Sequence, residues 1–364
     1  METTANTHRY AALDLTRGIA ALAVVAFHLP IPKGSVSLVP RGYLAVDLFF
    51  ALSGFVLAFA YGDALAQGGN VRRFMAQRLI RLYPLYLLAL AIGGLLVASN
   101  LALDGKSALS YMHMGQGIAA NLFFLPAPPG ASEDSLALFP AAFPAWSLMW
   151  ELIANLLFAL LAPRLNNRLL GGLMLAGLAA TAALGAHAGT LNGGAEWPQF
   201  WTGGARVLWA FFAGVALFRL SAALPGRFRI PDWSLGLILI AVFLPRIGGW
   251  PYDVTCAIAV FPAIVLLAAR ARTTDGSRRI GHWLGYVSYA VYVLQAPILM
   301  LMDKMAVRLA GARLSALPSA PMIAVAVVLV LLLGHYASVR FDAPVRAWLK
   351  RAIRGRASAL PARA

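Results

Sequence analysis

Residues 14–28 read DLTRGIAALAVVAFH, an apolar stretch of membrane character that carries an acid, an arginine and a histidine. Arg17 and His28 are eleven residues apart, close to three helical turns, and Asp14 stands three residues before Arg17. At 3.6 residues per turn the three side chains share one stripe, spread over roughly 16 to 20 Å of helix. Ala21 and Val24 or Val25 lie between them, and Gly18, Ala20 and Ala23 are small enough to admit a neighbouring helix. Charges facing lipid cost several kcal/mol, so the stripe is expected to face a bundle interior or a wet cavity. The alternative is that Asp14 and Arg17 snorkel to one interface and His28 to the other.

Composition extends the membrane reading to the whole chain. Of 364 residues, 60% are hydrophobic and 12% charged, and the mean hydropathy is +0.74. A soluble domain of this length has no means of hiding that much apolar surface. The formal charge of +16 would suggest nucleic acid in a soluble chain. Here it fits cytoplasmic loops and anionic lipid, and no nucleic-acid partner is expected. Cys256 is the sole cysteine, which excludes an intrachain disulfide. Asp14 and Arg17 precede the first apolar core, and no small-x-small site follows before Pro30, so a cleaved signal peptide is not expected.

Ten apolar runs are long enough to span a bilayer, at about 10–30, 43–66, 83–103, 145–163, 168–187, 203–220, 232–248, 254–270, 283–303 and 319–339. The run 232–248 is short and ends at proline. The fold class is therefore all-α and polytopic, one membrane domain over residues 1–364, without repeats. Basic residues divide unevenly between the two sides. One set holds Arg9, Arg72, Arg73, Arg78, Arg81, Arg164, Arg168, Arg219, Arg227, Arg229, Arg270, Arg272, Arg278, Arg279 and seven between Arg340 and Arg363, a total of 21. The other holds Lys33, Arg41, Lys106, Arg206, Arg246, Lys304, Arg308 and Arg313, a total of 8. The asymmetry places both termini in the cytoplasm and the loop 104–144 outside. A multi-pass protein of the inner (cytoplasmic) membrane is the expectation.

Two carboxylates are expected near His28. A hairpin about residues 37–38 puts Asp47, in GYLAVDLFF, at the depth of His28, and Glu151, in PAWSLMWELIANLLF, lies about two turns into its span from the same side. Imidazole with carboxylate is the composition of a general-base site. A helix-helix hydrogen bond or a first-turn charge explains either acid equally simply. On the opposite side, NVRRFMAQRLIRLYPLY repeats Arg73, Gln77, Arg78 and Arg81 at three- and four-residue spacing, the face of a short amphipathic surface helix held by Phe74, Leu79, Leu82 and Tyr83. With Arg72 it forms either a charge-retaining loop or a guanidinium cluster for a polyphosphate. Ser53, in SGF, reads as a packing serine rather than a nucleophile, since no base is expected at its depth.

Six segments, in order, resemble the acyltransferase-3 family of integral-membrane, acyl-CoA-dependent O-acyltransferases. They are LDLTRGIAALAVVAFH, VDLFFALSGFVLA, FMAQRLIRLYPLY with Arg78, Arg81 and Pro84, WSLMWELIANLLF with Trp146, Ser147 and Glu151, LGYVSYAVYVLQAPIL, and VRFDAPVRAW. The resemblance implies transfer of an acyl group, usually acetyl, from cytoplasmic acyl-CoA to a hydroxyl of a glycan or similar acceptor, with no metal. In that scheme His28, Asp47 and Glu151 are catalytic, and Arg17, Arg72, Arg73, Arg78 and Arg81 hold the CoA. Gln295 stands where members often carry histidine, and Gln77 where arginine is frequent. A secondary transporter of an anionic or lipid-linked substrate, using the same groups as a proton relay, is the rival reading.

Overall fold

A computed structural model of the protein describes residues 10–29, 37–103, 108–131, 136–224, 230–316 and 319–358. The helices are α1 (Ala11–His28), α2 (Ala45–Ala66), α3 (Val71–Leu103), α4 (Ala108–Leu122), α5 (Ala145–Leu161), α6 (Asn167–Ala188), α7 (Phe200–Ala223), α8 (Asp232–Phe243), α9 (Gly249–Thr255), α10 (Phe261–Arg270), α11 (Asp275–Ala310), α12 (Ser319–Ala337) and α13 (Ala343–Ser358). Among the described residues there is no strand, only two isolated bridges. π-Helical turns join α9 to α10 and α12 to α13.

Among the described residues, nine helical segments are long and apolar enough to cross a membrane, where ten were expected. The difference lies at 232–248. There α8 has 12 residues, about 18 Å, against a hydrocarbon core of about 30 Å. Its ends nevertheless lie on opposite faces of the bundle. Asp232 N donates to Arg272 O beside the end of α10, and Phe243 O accepts from Arg41 N ahead of α2. The chain therefore also passes between the two faces along α8, a short helix whose buried side packs on α1 and α10. Both described ends of the chain emerge on one face, called here the N-terminal face.

Two further expectations change. The arginine-bearing segment is not a separate surface helix. It is the first part of the 33-residue α3, which continues through Pro84 into the membrane, with Phe74 and Leu82 buried and Leu79 exposed. The loop 104–144 contains α4, which packs back along α3, with Tyr86 OH donating to Asn121 O. Lys33, Lys106, Glu133, Asp134, Arg227 and Arg229 lie outside the described residues, as do Arg9 and Arg363.

Close helix crossings build the frame. A Cβ on Gly54 of α2 would lie 1.9 Å from Phe211 O of α7, and one on Gly214 of α7 would lie 2.1 Å from Ala51 O of α2. Backbone meets backbone there, the small-residue contact by which membrane helices associate without a hydrophobic driving force. Along α1, Gly18 packs on Leu284 of α11, so the stripe bearing Arg17 and His28 faces protein.

Candidate active site

Two cavities lie along the bundle interior. The one toward the N-terminal face, about 200 Å³, is lined by Arg17, Ser53, Arg78, Arg81, Glu151 and Tyr289 among others. The second, about 330 Å³, lies toward the opposite face, with His28, Tyr43, Trp146, Asn192, Glu196, Gln199 and Arg206 in its lining. Val46 and Tyr292 belong to both linings, so the cavities abut at these two side chains. Tyr292 is fixed by a 2.7 Å hydrogen bond between its hydroxyl and Ser147 Oγ and by the edge of Phe49.

Every arginine of the first cavity already has an acid. Arg17 Nη1 bonds Asp14 Oδ1 at 3.0 Å, and Asp14 also meets His282 of α11. Arg78 Nη2 bonds Glu151 Oε1 at 3.0 Å, and Asn155, one turn further along α5, accepts from Arg78 Nε at 3.2 Å with its amide turned so that the oxygen faces the guanidinium. Arg81 lies 4.0 Å from Asp342, which is held at 2.7 Å by Arg346 of α13. The Arg81 guanidinium also stands over the Tyr289 ring, whose hydroxyl donates to Leu82 O. Guanidinium groups converge here from α1 and α3, and α1, α5 and the π-helical turn ahead of α13 supply their counter-charges. Arg72 and Arg73 are exposed at the start of α3 and line neither cavity.

His28 closes α1, and its Nδ1 lies 2.9 Å from Val24 O. A carbonyl only accepts, so this contact assigns a proton to Nδ1. Phe27 and Phe143 pack on the ring edges, and Gln295 sits beside it, its Nε2 donating to Tyr292 O. Neither predicted carboxylate touches His28. Glu151 belongs to the arginine cavity, where it accepts from Ser53 Oγ at 2.7 Å as well as from Arg78. Asp47 forms a two-pronged pair with Arg206 of α7, at 3.0 and 2.8 Å, both side chains 1% exposed. Arg206 also donates to Tyr43 O and Gly193 O. The backbone carbonyl of Val24 thus orients the imidazole, and Asp47 orients Arg206.

Sequence reasoning took Arg206 for a loop cation. Its signal was its setting, an arginine inside the apolar run WTGGARVLWAFF, where a buried partner is expected. A second buried network braces the same face: Arg41 Nη1 and Tyr43 OH both bond Asp253, whose Oδ2 also accepts from Leu191 N. Among the described residues no group of three His, Cys, Asp or Glu side chains is placed to hold a metal.

The acyltransferase-3 family model, described as "Acyltransferase domain", matches residues 10–337. "Protein 2 in picA locus" of Rhizobium radiobacter is 41% identical over 128 residues, 33% of this chain and 66% of that protein. "Acyltransferase MdmB" of Streptomyces mycarofaciens is 33% identical over 100 residues, 25% of each chain. The chain thus spans less than two thirds of the length of either curated relative. No solved structure matches. The matched region holds both cavities and nearly every polar side chain described above, and the chain belongs to the acyltransferase-3 family.

Proposed function

We propose that the protein transfers an acyl group, acetyl in the first instance, from cytoplasmic acyl-CoA to a hydroxyl of a glycan or related acceptor on the far side of the inner membrane. The observation that carries this reading is the end-to-end arrangement of an arginine-lined cavity and a histidine-bearing one. CoA phosphates dock at Arg78 and Arg81, with Arg17 beside them and Arg72 and Arg73 drawing the anion toward the N-terminal face. The pantetheine arm passes between Val46 and Tyr292 and brings the thioester to His28. Nε2 of His28 takes the proton of the acceptor hydroxyl as its oxygen attacks the thioester carbonyl. The C–S bond breaks, and the imidazolium returns the proton to the departing thiolate, giving ester and free CoA. Asp47 serves by holding Arg206 at the cavity wall. Glu151 serves as the counter-charge that keeps Arg78 extended until phosphate replaces it.

The test is thiol release from acetyl-CoA by the purified protein in the presence of a membrane extract. His28→Gln keeps hydrogen bonding without the basicity, and transfer should fall about 10²–10⁴-fold with acetyl-CoA binding unchanged. An active His28→Gln protein removes the general-base role. Absence of thiol release by the unaltered protein favours the transporter reading.

A further inference from the structure

The segment 190–199 runs over the mouth of the histidine cavity and is clamped at almost every residue. Asp253 holds Thr190 Oγ1 and Leu191 N, and Arg206 holds Gly193 O. Ala195 O accepts from Leu138 N, and Trp197 bonds Leu136 O through its backbone N and Ala127 O through Nε1. Three side chains on this braced segment, Asn192, Glu196 and Gln199, line the cavity with His28 and make no hydrogen bond among the described residues. The Gln199 amide lies across Gly193, where a Cβ would stand 2.8 Å from Oε1. The proposed transfer chemistry uses none of the three. All three are exposed, so water satisfies them in the free protein and the hydroxyls of a ligand entering the cavity can take its place.

We propose, resting on the acyl-transfer reading above, that Asn192, Glu196 and Gln199 recognise the acceptor, and that the acceptor unit presented to His28 is an uncharged polyhydroxylated one such as a glycosyl residue. Two amides offer donors and acceptors, and a carboxylate accepts from hydroxyls, which is the complement of several neighbouring OH groups. The charge balance selects against an anionic unit. Arg206, the one guanidinium among the described lining residues, is cancelled by Asp47 in a buried pair, which leaves Glu196 as the one charge without an ion-pair partner among them. A phosphate or carboxylate on the acceptor would meet it as a like charge. The three residues are specificity determinants rather than catalytic residues.

The experiment measures thiol release from acetyl-CoA by the full-length purified protein with methyl glucoside, methyl galactoside and methyl rhamnoside as probes. Glucose 6-phosphate is the anionic counterpart, and a membrane extract is the general acceptor. Neutral glycosides should support release, and glucose 6-phosphate should be the poorer acceptor. Asn192→Ala and Gln199→Ala should each raise the KM for the glycoside about tenfold, as the loss of one good hydrogen bond allows, while the KM for acetyl-CoA stays fixed. Glu196→Gln, which keeps the shape, should narrow the gap between glucose 6-phosphate and methyl glucoside. Release with the extract but with none of the neutral glycosides would overturn the proposal. So would a wild-type preference for the sugar phosphate, or variants whose glycoside KM does not move. Failure even with the extract overturns the acyl-transfer reading itself and is thereby distinguished.

Discussion

The two cavities solve the problem of buried charge differently. On the N-terminal side the ion pairs are one-pronged and partly open, and one is loose: Arg17–Asp14 and Arg78–Glu151 are 3.0 Å apart with part-exposed side chains, and Arg81–Asp342 is 4.0 Å apart with the arginine side chain 35% exposed. On the far side the Arg206–Asp47 pair is sealed and two-pronged. Loose pairs have little to lose when an anion replaces the carboxylate, whereas a desolvated pair is costly to break from either side. Under the proposed transfer reading, the first set suits exchange with a ligand, and the second holds a wall in place.

The sharpest way to break this comparison is at the sealed pair. Arg206→Ala should destabilise the protein by about 3–5 kcal/mol, because it leaves Asp47 buried without a partner. Thermal unfolding in detergent checks this, and Asp47→Ala in the same background should restore part of the loss. On the open side, Arg78→Ala with Arg81→Ala should leave unfolding nearly unchanged but weaken acetyl-CoA binding by about 1.5–3 kcal/mol per lost contact, measured by titration calorimetry. Unchanged affinity would remove the arginines from the donor site. A smaller effect of opposite sign is expected for Glu151→Gln. With the competing charge gone and the Ser53 bond retained, acetyl-CoA should bind more tightly by about 0.5–1 kcal/mol. The least perturbing test concerns orientation. In a Cys256→Ala background, a cysteine replacing the exposed Gln116 of α4 should react with an impermeant thiol reagent from outside intact cells. One replacing Arg279 should react only after permeabilisation, and the reverse pattern would invert the topology.

Periodic apolar runs and the polar stripe of α1 were legible because lipid leaves so few solutions for the backbone. Long helices were located to within a few residues at most boundaries. The exceptions have local causes: α3 begins twelve residues early because an amphipathic turn needs no break before Pro84, α11 (Asp275–Ala310) runs eight residues before and seven beyond the expected 283–303 because its polar ends are helical outside the apolar stretch, and α8 stops at 243, short of Pro245. The site was legible by composition and only partly by partnership. His28, Arg17, Arg78, Arg81 and Glu151 all line cavities. Depth along one helix, however, says nothing about which neighbour stands opposite, so Glu151 was grouped with the histidine rather than with Arg78. Arg346 and Asp342 lie some 260 residues beyond Arg81 in the chain, and no spacing links them. Asn192, Glu196 and Gln199 sit in a segment without periodicity, and only the folded chain sets them around one opening.

The partition at Val46 and Tyr292 has an electrical consequence. Where solvent fills both recesses, the membrane's insulating layer is locally reduced to these side chains and their immediate neighbours. Most of a transmembrane voltage then falls across that short distance, where 100 mV is worth about 2.3 kcal/mol for each elementary charge moved. An uncharged thioester arm crosses such a step without electrical work, whereas its phosphates would not. In the proposed transfer, the constriction at Val46 and Tyr292 thus sorts the donor by charge along its own length, keeping the nucleotide end on the side it came from.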